Sequence, residues 1–284
     1  MNPEINFIDT LKYQKPKNNN LSYSSLKAFN KSPLDFLLYI NKDYTITESM
    51  ILGSLIDCLL LTPENFESKY LVVGNYDRRT KSGKELHDKY LKQSEKENKE
   101  IVKKSIYDKC CIIVNSIKNN HKAKYLLEHT HTIQYKVNFN HKVENEIYNI
   151  RGFADGVGEF SKEKPFIFDL KTTNKIDQHF YTRQIIDLMY HLQASIYTMG
   201  YFVENFKFPD FYHIVVETSE PYKVNVFKFD NEFIKTGKDI FKSLLQNFHD
   251  CKKNNSWNQG SEFFEPNIVE ITTPEWYNNL IENE

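Results

Sequence analysis

The sequence predicts a mixed fold of the α/β or α+β kind, in which a mixed sheet is backed by helices. Two observations carry this expectation. Through residues 21–128 the apolar side chains recur at helical spacing, and from about residue 131 the pattern switches to alternation. The alternating segments lie at about 131–140, 146–159, 165–172, 210–218 and 222–229. Between the third and fourth of them, Ile185, Leu188, Met189, Leu192, Ile196 and Met199 form an apolar stripe that predicts one helix from about Gln178 to Glu204. A last helix is expected over about 230–250.

In the helical half, Ser22 and Ser24 are N-cap candidates before Leu26, Phe29, Leu34, Leu37 and Leu38, a pattern that Pro33 divides into two short helices. Thr47 precedes ESMILGSLIDCLLLTPENF, which reads as a largely buried helix that stops before Pro63, with Gly53 allowing close packing. From Ser82 to Glu128, periodic Leu86, Tyr90, Leu91, Ile101, Ile106, Ile112, Ile113 and Ile117 predict two or three amphipathic helices with solvated lysine and glutamate faces. Residues 21–250 are expected to form one domain, mainly helical over 21–128 and sheet-centred over 129–250. An N-terminal extension (1–20) and a polar C-terminal tail (251–284) flank it.

Composition narrows the functional classes. At 40 % hydrophobic residues and with nine Gly and nine Pro, the chain of 284 residues can bury a sizeable core, which argues against a fibre or a disordered protein. No run of about 18 apolar residues occurs, and MNPEINFIDTLKYQK lacks the apolar core of a signal peptide, so a cytoplasmic location without membrane contact is expected. Cys58, Cys110, Cys111 and Cys251 show no CxxC spacing, which argues against a disulfide framework or a zinc site. With 37 basic and 38 acidic side chains the net charge is −1, so bulk charge does not draw the chain to nucleic acid, although an enzyme needs only a local basic path.

Chemistry concentrates in the second half. On PFIFDLKTT, period-two alternation puts Ile167, Asp169 and Lys171 on one face and Phe166, Phe168 and Leu170 on the other. Burying such a carboxylate and ammonium costs several kcal/mol of desolvation unless compensated, so a metal site or an open cleft is their natural setting. The preceding strand carries Asp155 within GFADGVGEF, where the glycines would let a group such as a phosphate approach the backbone. Two carboxylates on neighbouring strands, with a lysine two residues beyond the second, make a hard oxygen site for Mg²⁺ beside a cation that can orient water. Gln193 and Tyr197 lie four apart in YHLQASIYTMG and can lean from one helix face toward the acidic edge of the sheet. His129 and His131 bracket a strand start, a spacing more often incidental than metal-binding.

GFADGV, then FDLKTT fourteen residues on counted Asp to Asp, then YHLQASIY, resemble the acid, acid-x-Lys and Gln-xxx-Tyr motifs of the PD-(D/E)XK nuclease superfamily. Within it they look like the phage and prophage exonucleases of the RecE (exonuclease VIII) and lambda-exonuclease type. LSYSSLKAFNKSPLDF, TESMILGSLIDCLLLTPENFESKY and RRTKSGKE are similar to segments of the RecE-like group, so the resemblance covers most of the chain. It implies a restriction-endonuclease-like fold with a mixed central sheet, and a Mg²⁺-dependent deoxyribonuclease, with Mn²⁺ as a substitute ion. The activity implied first is 5′→3′ exonuclease action on double-stranded ends, leaving 3′ single strands for an annealing protein. Single-strand-specific or endonucleolytic cleavage, and a non-catalytic DNA-binding module on the same fold, are the alternatives.

By the same resemblance Asp155, Asp169 and the main-chain carbonyl of Leu170 would hold the metal, Lys171 would position the attacking water, and Gln193 and Tyr197 would steady the site or touch a DNA phosphate. Many relatives carry G-x-x-x-H in the N-terminal half, whereas this chain reads Gly53-Ser-Leu-Ile-Asp57. Asp57 is either a further oxygen ligand suited to Mg²⁺ or a sign of altered metal preference or reduced activity. Where iron–sulfur relatives place their first cysteine, this chain has Ser32, and no such cluster is expected. Arg78, Arg79, Lys81 and Lys84 form a basic cluster, either a solvated loop or a track for the DNA backbone. Arg183 is placed on a phosphate or in a pair with Asp187, and Ser22 and Ser24 can also hold a 5′-phosphate. Rings occur in the family, which makes a homo-oligomer an expectation of the resemblance.

Overall fold

A computed structural model describes residues 13–42, 47–77, 79–265 and 268. Residues 1–12 of the expected extension and 266, 267 and 269–284 of the expected tail lie outside this range. The chain divides into two compact units, one of Met1–Asn19, Ser24–Lys42 and Ser243–Glu284, the other of Asn20–Tyr23 and Asp43–Lys242.

The smaller unit contains α1 (Tyr23–Phe29, from Ser24 on), α2 (Pro33–Asn41) and the end of a long last helix. Ser32 starts α2 by accepting the Asp35 N–H at 2.9 Å, and Pro33 follows at the first helical position, where its missing N–H is no loss. Ser24 lies inside the first turn of α1 and so is no cap. The core is aromatic: Phe29 meets Phe36, Phe248, Phe263 and Phe264 edge-on, with ring centroids 5.1–6.2 Å apart.

The larger unit holds β1 (Asn20–Ser22), α3 (Glu48–Leu61), α4 (Phe66–Lys69), β2 (Tyr70–Val73), α5 (Lys81–Glu97), β3 (Glu100–Lys103), α6 (Lys104–Asn119) and α7 (His121–Glu128). The chain continues with β4 (Thr130–Val143), β5 (Glu146–Glu159), β6 (Pro165–Thr173), α8 (Gln178–Asp187), α9 (Tyr190–Asn205), β7 (Asp210–Glu217), β8 (Val224–Lys228) and α10 (Asn231–Asn254). Six strands form a mixed sheet in the order β1-β5-β6-β7-β8, with β4 paired along β5. The β6–β7 pair is parallel, so the chain crosses over through α8 and α9, and the remaining pairs apart from β1–β5 are antiparallel. Short β2 and β3 make a separate parallel pair that the hydrophobic pattern does not reveal.

Alternation on β6 sorts its two faces. Phe166 and Phe168 are fully buried in a cluster with Leu55 and Ile56 of α3 and Cys110, Ile113 and Ile117 of α6. The opposite face looks toward α9. The central mixed sheet flanked by helices is the expected fold class, and the five strands read from alternation stand close to their expected places. Thr47 caps α3, its hydroxyl accepting the Met50 N–H at 3.3 Å, and the helix ends before Pro63 as expected.

Two local expectations change. The helix expected over Gln178–Glu204 is two helices, because Met189 adopts a left-handed conformation (φ 56°, ψ 36°). The Leu192 N–H then bonds to the Met189 carbonyl, and the Leu188 carbonyl instead accepts the Tyr23 hydroxyl. Gly53 does not serve close packing, since a Cβ there would meet no atom within 4 Å. The four cysteines are free thiols, and no helix among the described residues is long and apolar enough to cross a membrane.

Candidate active site

The site begins where two strands part. The ladder between β5 and β6 ends at the pair Gly156–Phe168. Beyond it Asp155 fills the fork, its carboxylate accepting the Leu170 N–H at 2.6 Å in place of a backbone carbonyl. Two glycines of β5 make room for neighbouring rings: a Cβ on Gly156 would lie 2.1 Å from the Phe168 ring, and one on Gly152 2.7 Å from Tyr197.

On the other arm of the fork, Asp169 is 4 % exposed and its Oδ2 lies 2.5 Å from Lys171 Nζ. Gln193 Nε2 donates to Asp169 Oδ1 at 3.0 Å and to the Tyr197 hydroxyl at 3.1 Å. The i, i+4 pair on α9 thus steadies the second acid from above. Asp57 enters from α3, one helical turn after Gly53, and its Oδ2 accepts the Gln134 amide at 3.2 Å. Asp57, Asp155, Asp169, Lys171, Gln193 and Tyr197 line one cleft of about 350 Å³ together with Leu170, Thr172, Phe153, Tyr190 and the open Gly53, while Gln134 touches Asp57 from outside it.

Two of the three carboxylates in this small cleft, Asp155 and Asp57, are disfavoured in their charged form. Burial pushes the Asp155 carboxyl well above its usual range, and the charges of Asp169 and Asp57 push it further, against Lys171 and the Leu170 N–H. Burial and Asp169 raise Asp57 to about 6, with Lys69 and Lys171 opposing. Burial would lower the Lys171 pKa, but Asp169, Tyr190 and Asp155 outweigh it and hold the ammonium charged. Its Nζ sits 4.7 Å from the centre of the Tyr190 ring, a cation–π contact. Asp57 Oδ1 and Gln193 Oε1 are buried without a hydrogen-bond partner. Unpaired buried oxygens amid mutually repelling carboxylates are the marks of a site that a cation would complete, and an all-oxygen set fits a hard divalent ion.

A family model described as "PDDEXK-like domain of unknown function (DUF3799)" matches residues 22–266, a span that includes every residue of the cleft. The chain belongs to this PDDEXK-like family. A solved chain of Eubacterium rectale, described as a candidate exonuclease, superposes on the PDDEXK-like chain with a TM-score of 0.54 at 11 % identity, covering 90 % of this chain and 91 % of that one. That likeness is one of fold. A second solved chain, SSO0001, reaches a TM-score of 0.31 at 11 % identity over 84 % of this chain and 82 % of that one, too low to carry an argument. No curated protein matches the sequence.

Within the PDDEXK-like fold the structure brings together Asp57, Asp155, Asp169, Leu170, Lys171, Gln193 and Tyr197. Of the basic candidates, Arg79, Lys81, Lys84 and Arg183 do not line the cleft. Arg79 is engaged by Asp77, with a closest contact of 2.8 Å, Lys81 and Lys84 are exposed in the first turn of α5, and Arg183 is exposed on α8 without an ion pair to Asp187. Arg78 lies outside the described residues. Ser22 ends β1 opposite Arg151 of β5. His129 and His131 bond separately, to the Tyr125 carbonyl and the Thr132 hydroxyl, and share no site. Sequence reasoning missed Tyr190, Phe153 and Gln134. Tyr190 opens the same YHLQASIY block, and Phe153 sits two residues before Asp155 on the same strand face, so both carried a signal. Gln134, in a left-handed conformation (φ 54°) within β4, carried none.

Proposed function

We propose that this PDDEXK-like protein is a metal-dependent deoxyribonuclease. The observation that supports it most is the convergence, at the fork of β5 and β6, of Asp155, Asp169 and Lys171 with Asp57 across the cleft and two buried oxygens left unpaired. Asp155, Asp169, the Leu170 carbonyl and Asp57 would hold Mg²⁺, with Mn²⁺ as a substitute. When bound, such an ion supplies Lewis-acid activation of water and of the phosphate. Asp57 takes the place that histidine holds in many relatives, and a carboxylate is the harder donor.

The side chains divide the remaining work. Lys171, held charged by Asp169, orients water in line with the phosphorus and neutralises charge that develops on the phosphate oxygens. Gln193 holds Asp169 in one rotamer and Tyr197 braces Gln193. A new phosphorus–oxygen bond forms to water, the bond to one sugar oxygen breaks, and the proton released by water is taken up by solvent as the leaving oxygen gains one.

On the RecE and lambda-exonuclease resemblance, the substrate is the end of double-stranded DNA, degraded 5′→3′ to leave 3′ single strands for an annealing partner in phage or prophage recombination. A ring of subunits would keep such an enzyme on its substrate without a strongly basic surface. Digestion of 5′-labelled, 3′-labelled and circular duplexes in Mg²⁺ tests this directly. Early release of 5′ label with circles left whole is expected. Early release of 3′ label overturns the polarity, and cutting of circles overturns exonuclease action.

A further inference from the structure

The hairpin of β4 and β5 has one buried and one open face. Val137, Phe139, Tyr148, Ile150 and Ala154 are buried, whereas Lys136, Asn138, Asn140, Lys142, Ile147, Arg151 and Phe153 are exposed. The register pairs Lys136 with Phe153, Asn138 with Arg151 and Lys142 with Ile147, so these partners share the open face. One step further along β5, on the same face as Phe153, stands Asp155 at the cleft. From there to Lys142 the open face carries three cations and, apart from Asp155 itself, no carboxylate. Lys136, Lys142 and Arg151 form no ion pair among the described residues, while Arg151 Nε is held by Asn149 at 2.5 Å. The chain as a whole is at −1, so this is a local excess of positive charge.

Lysines alone would be explained by the need to guard an edge strand from pairing with other chains. A phenylalanine 58 % exposed, directly opposite one of them and lining the cleft, is not. Cations spaced along a strand, amides between them and a bare aromatic ring beside the acids are the elements that hold an unpaired nucleic-acid strand, with charges on the phosphates and a base stacked on the ring. Eight steps from Gln134 to Lys142 span about 27 Å, room for several nucleotides.

We propose that the open face of the β4–β5 hairpin is the track along which a single DNA strand, unpaired from its complement, reaches the acid cleft. The proposal rests on the nuclease reading for what happens at the cleft, and not for the binding itself. Lys136, Arg151 and Lys142 take phosphates at intervals along the strand, and Phe153 stacks a base at the mouth of the acid cleft.

The test is fluorescence anisotropy of the full-length protein with a labelled oligothymidine in EDTA, over a series of salt concentrations, with the matching duplex as competitor. Thermal unfolding verifies that each variant is folded, and single Lys136→Gln and Lys142→Gln changes replace the triple variant should it fail to fold. The variant Lys136→Gln, Lys142→Gln, Arg151→Gln is expected to lose at least tenfold in affinity and about 2 from the slope of log K against log salt, at about 0.7 per phosphate contact. Phe153→Ala is expected to lose roughly 5- to 100-fold with the slope unchanged. Variants that bind the oligonucleotide as wild type does, or lose only duplex binding, overturn the track. Cleavage in Mg²⁺ separates the two proposals. Wild type that cuts while its binding ignores the hairpin substitutions sinks the track alone, and wild type that does not cut while these substitutions abolish binding sinks the nuclease alone.

Discussion

The Asp57 carboxyl shows how a single residue reports the state of the cleft. Its pKa is raised from 3.8 to about 6, by burial first and by Asp169 second. Between those pH values the folded chain holds a proton that the unfolded chain has released. The associated stability is therefore complete below about pH 4 and is lost as pH rises through about 6, a change on the order of 2–3 kcal/mol. Asp155, raised for the same reason, adds loss in the same direction. In EDTA, Asp57→Asn is accordingly expected to gain that amount over wild type between pH 4 and pH 7, measured by urea unfolding. A gain that does not grow with pH would show that the carboxyl is not strained. Gly156→Ala is expected to cost about 1–3 kcal/mol, since its Cβ would enter the fully buried Phe168 ring at the last rung before the fork. Asp155, Asp169 and Lys171 were legible in the sequence because strand alternation and a charged pair in an apolar run both survive in one dimension. Tyr190 over Lys171 was not singled out, because a ring at the start of an apolar stripe looks like core.

Among the elements, β4 and the α8–α9 break carry what the pattern did not reveal. Gln134 stands opposite Asp155, between the paired residues Ile133–Gly156 and Tyr135–Ala154, and its left-handed backbone costs roughly 1–2 kcal/mol for a residue with a side chain. That conformation accompanies the amide contact to Asp57. Gln134→Gly is expected to hold or raise the unfolding midpoint while raising several-fold the Mg²⁺ concentration needed for half-maximal DNA cleavage. A lower midpoint with unchanged metal demand would show that Gln134 acts in the fold and not on Asp57. Neither Gln134 nor Met189 is a residue type that favours φ > 0, so neither position announced itself. The stripe from Ile185 to Met199 runs unbroken through Met189, which is why one helix was expected where two stand. Strands β1, β2 and β3, of three or four residues, are too short for alternation to be counted, and β1 and β2 depend on parallel partners far along the chain.

At the scale of the molecule, the mixed α/β class followed from one change of period at about residue 130, because five of the six strands of the main sheet lie beyond it. The gathering of Ser24–Lys42 with Ser243–Glu284 left no linear trace, since it joins segments more than 200 residues apart. Net charge was equally silent, because a −1 total averages the acid cleft with the basic face of the hairpin. If the cleft takes a divalent ion, the whole fold gains stability by mass action, about 2.7 kcal/mol at 100 times the dissociation constant. The gain is expected to be larger at pH 7.5 than at pH 5, where protons compete for Asp57 and Asp155. Calorimetric unfolding with Mg²⁺ and with EDTA at both pH values reads this, and an equal gain at both would place the ion elsewhere.

Whether Asp155, Asp169 and Lys171 form a metal-dependent phosphodiester-cleaving site is tested most directly by incubating linear DNA with the wild type and with Asp169→Ala and Lys171→Ala. Each protein is assayed in Mg²⁺, Mn²⁺ and EDTA, with folding verified by circular dichroism. Cleavage by the wild type in either metal, none in EDTA, and a loss of at least a hundredfold in both folded variants are expected. Wild type that binds the DNA but leaves it whole in both metals, or folded variants that cut as fast as wild type, would contradict such a site.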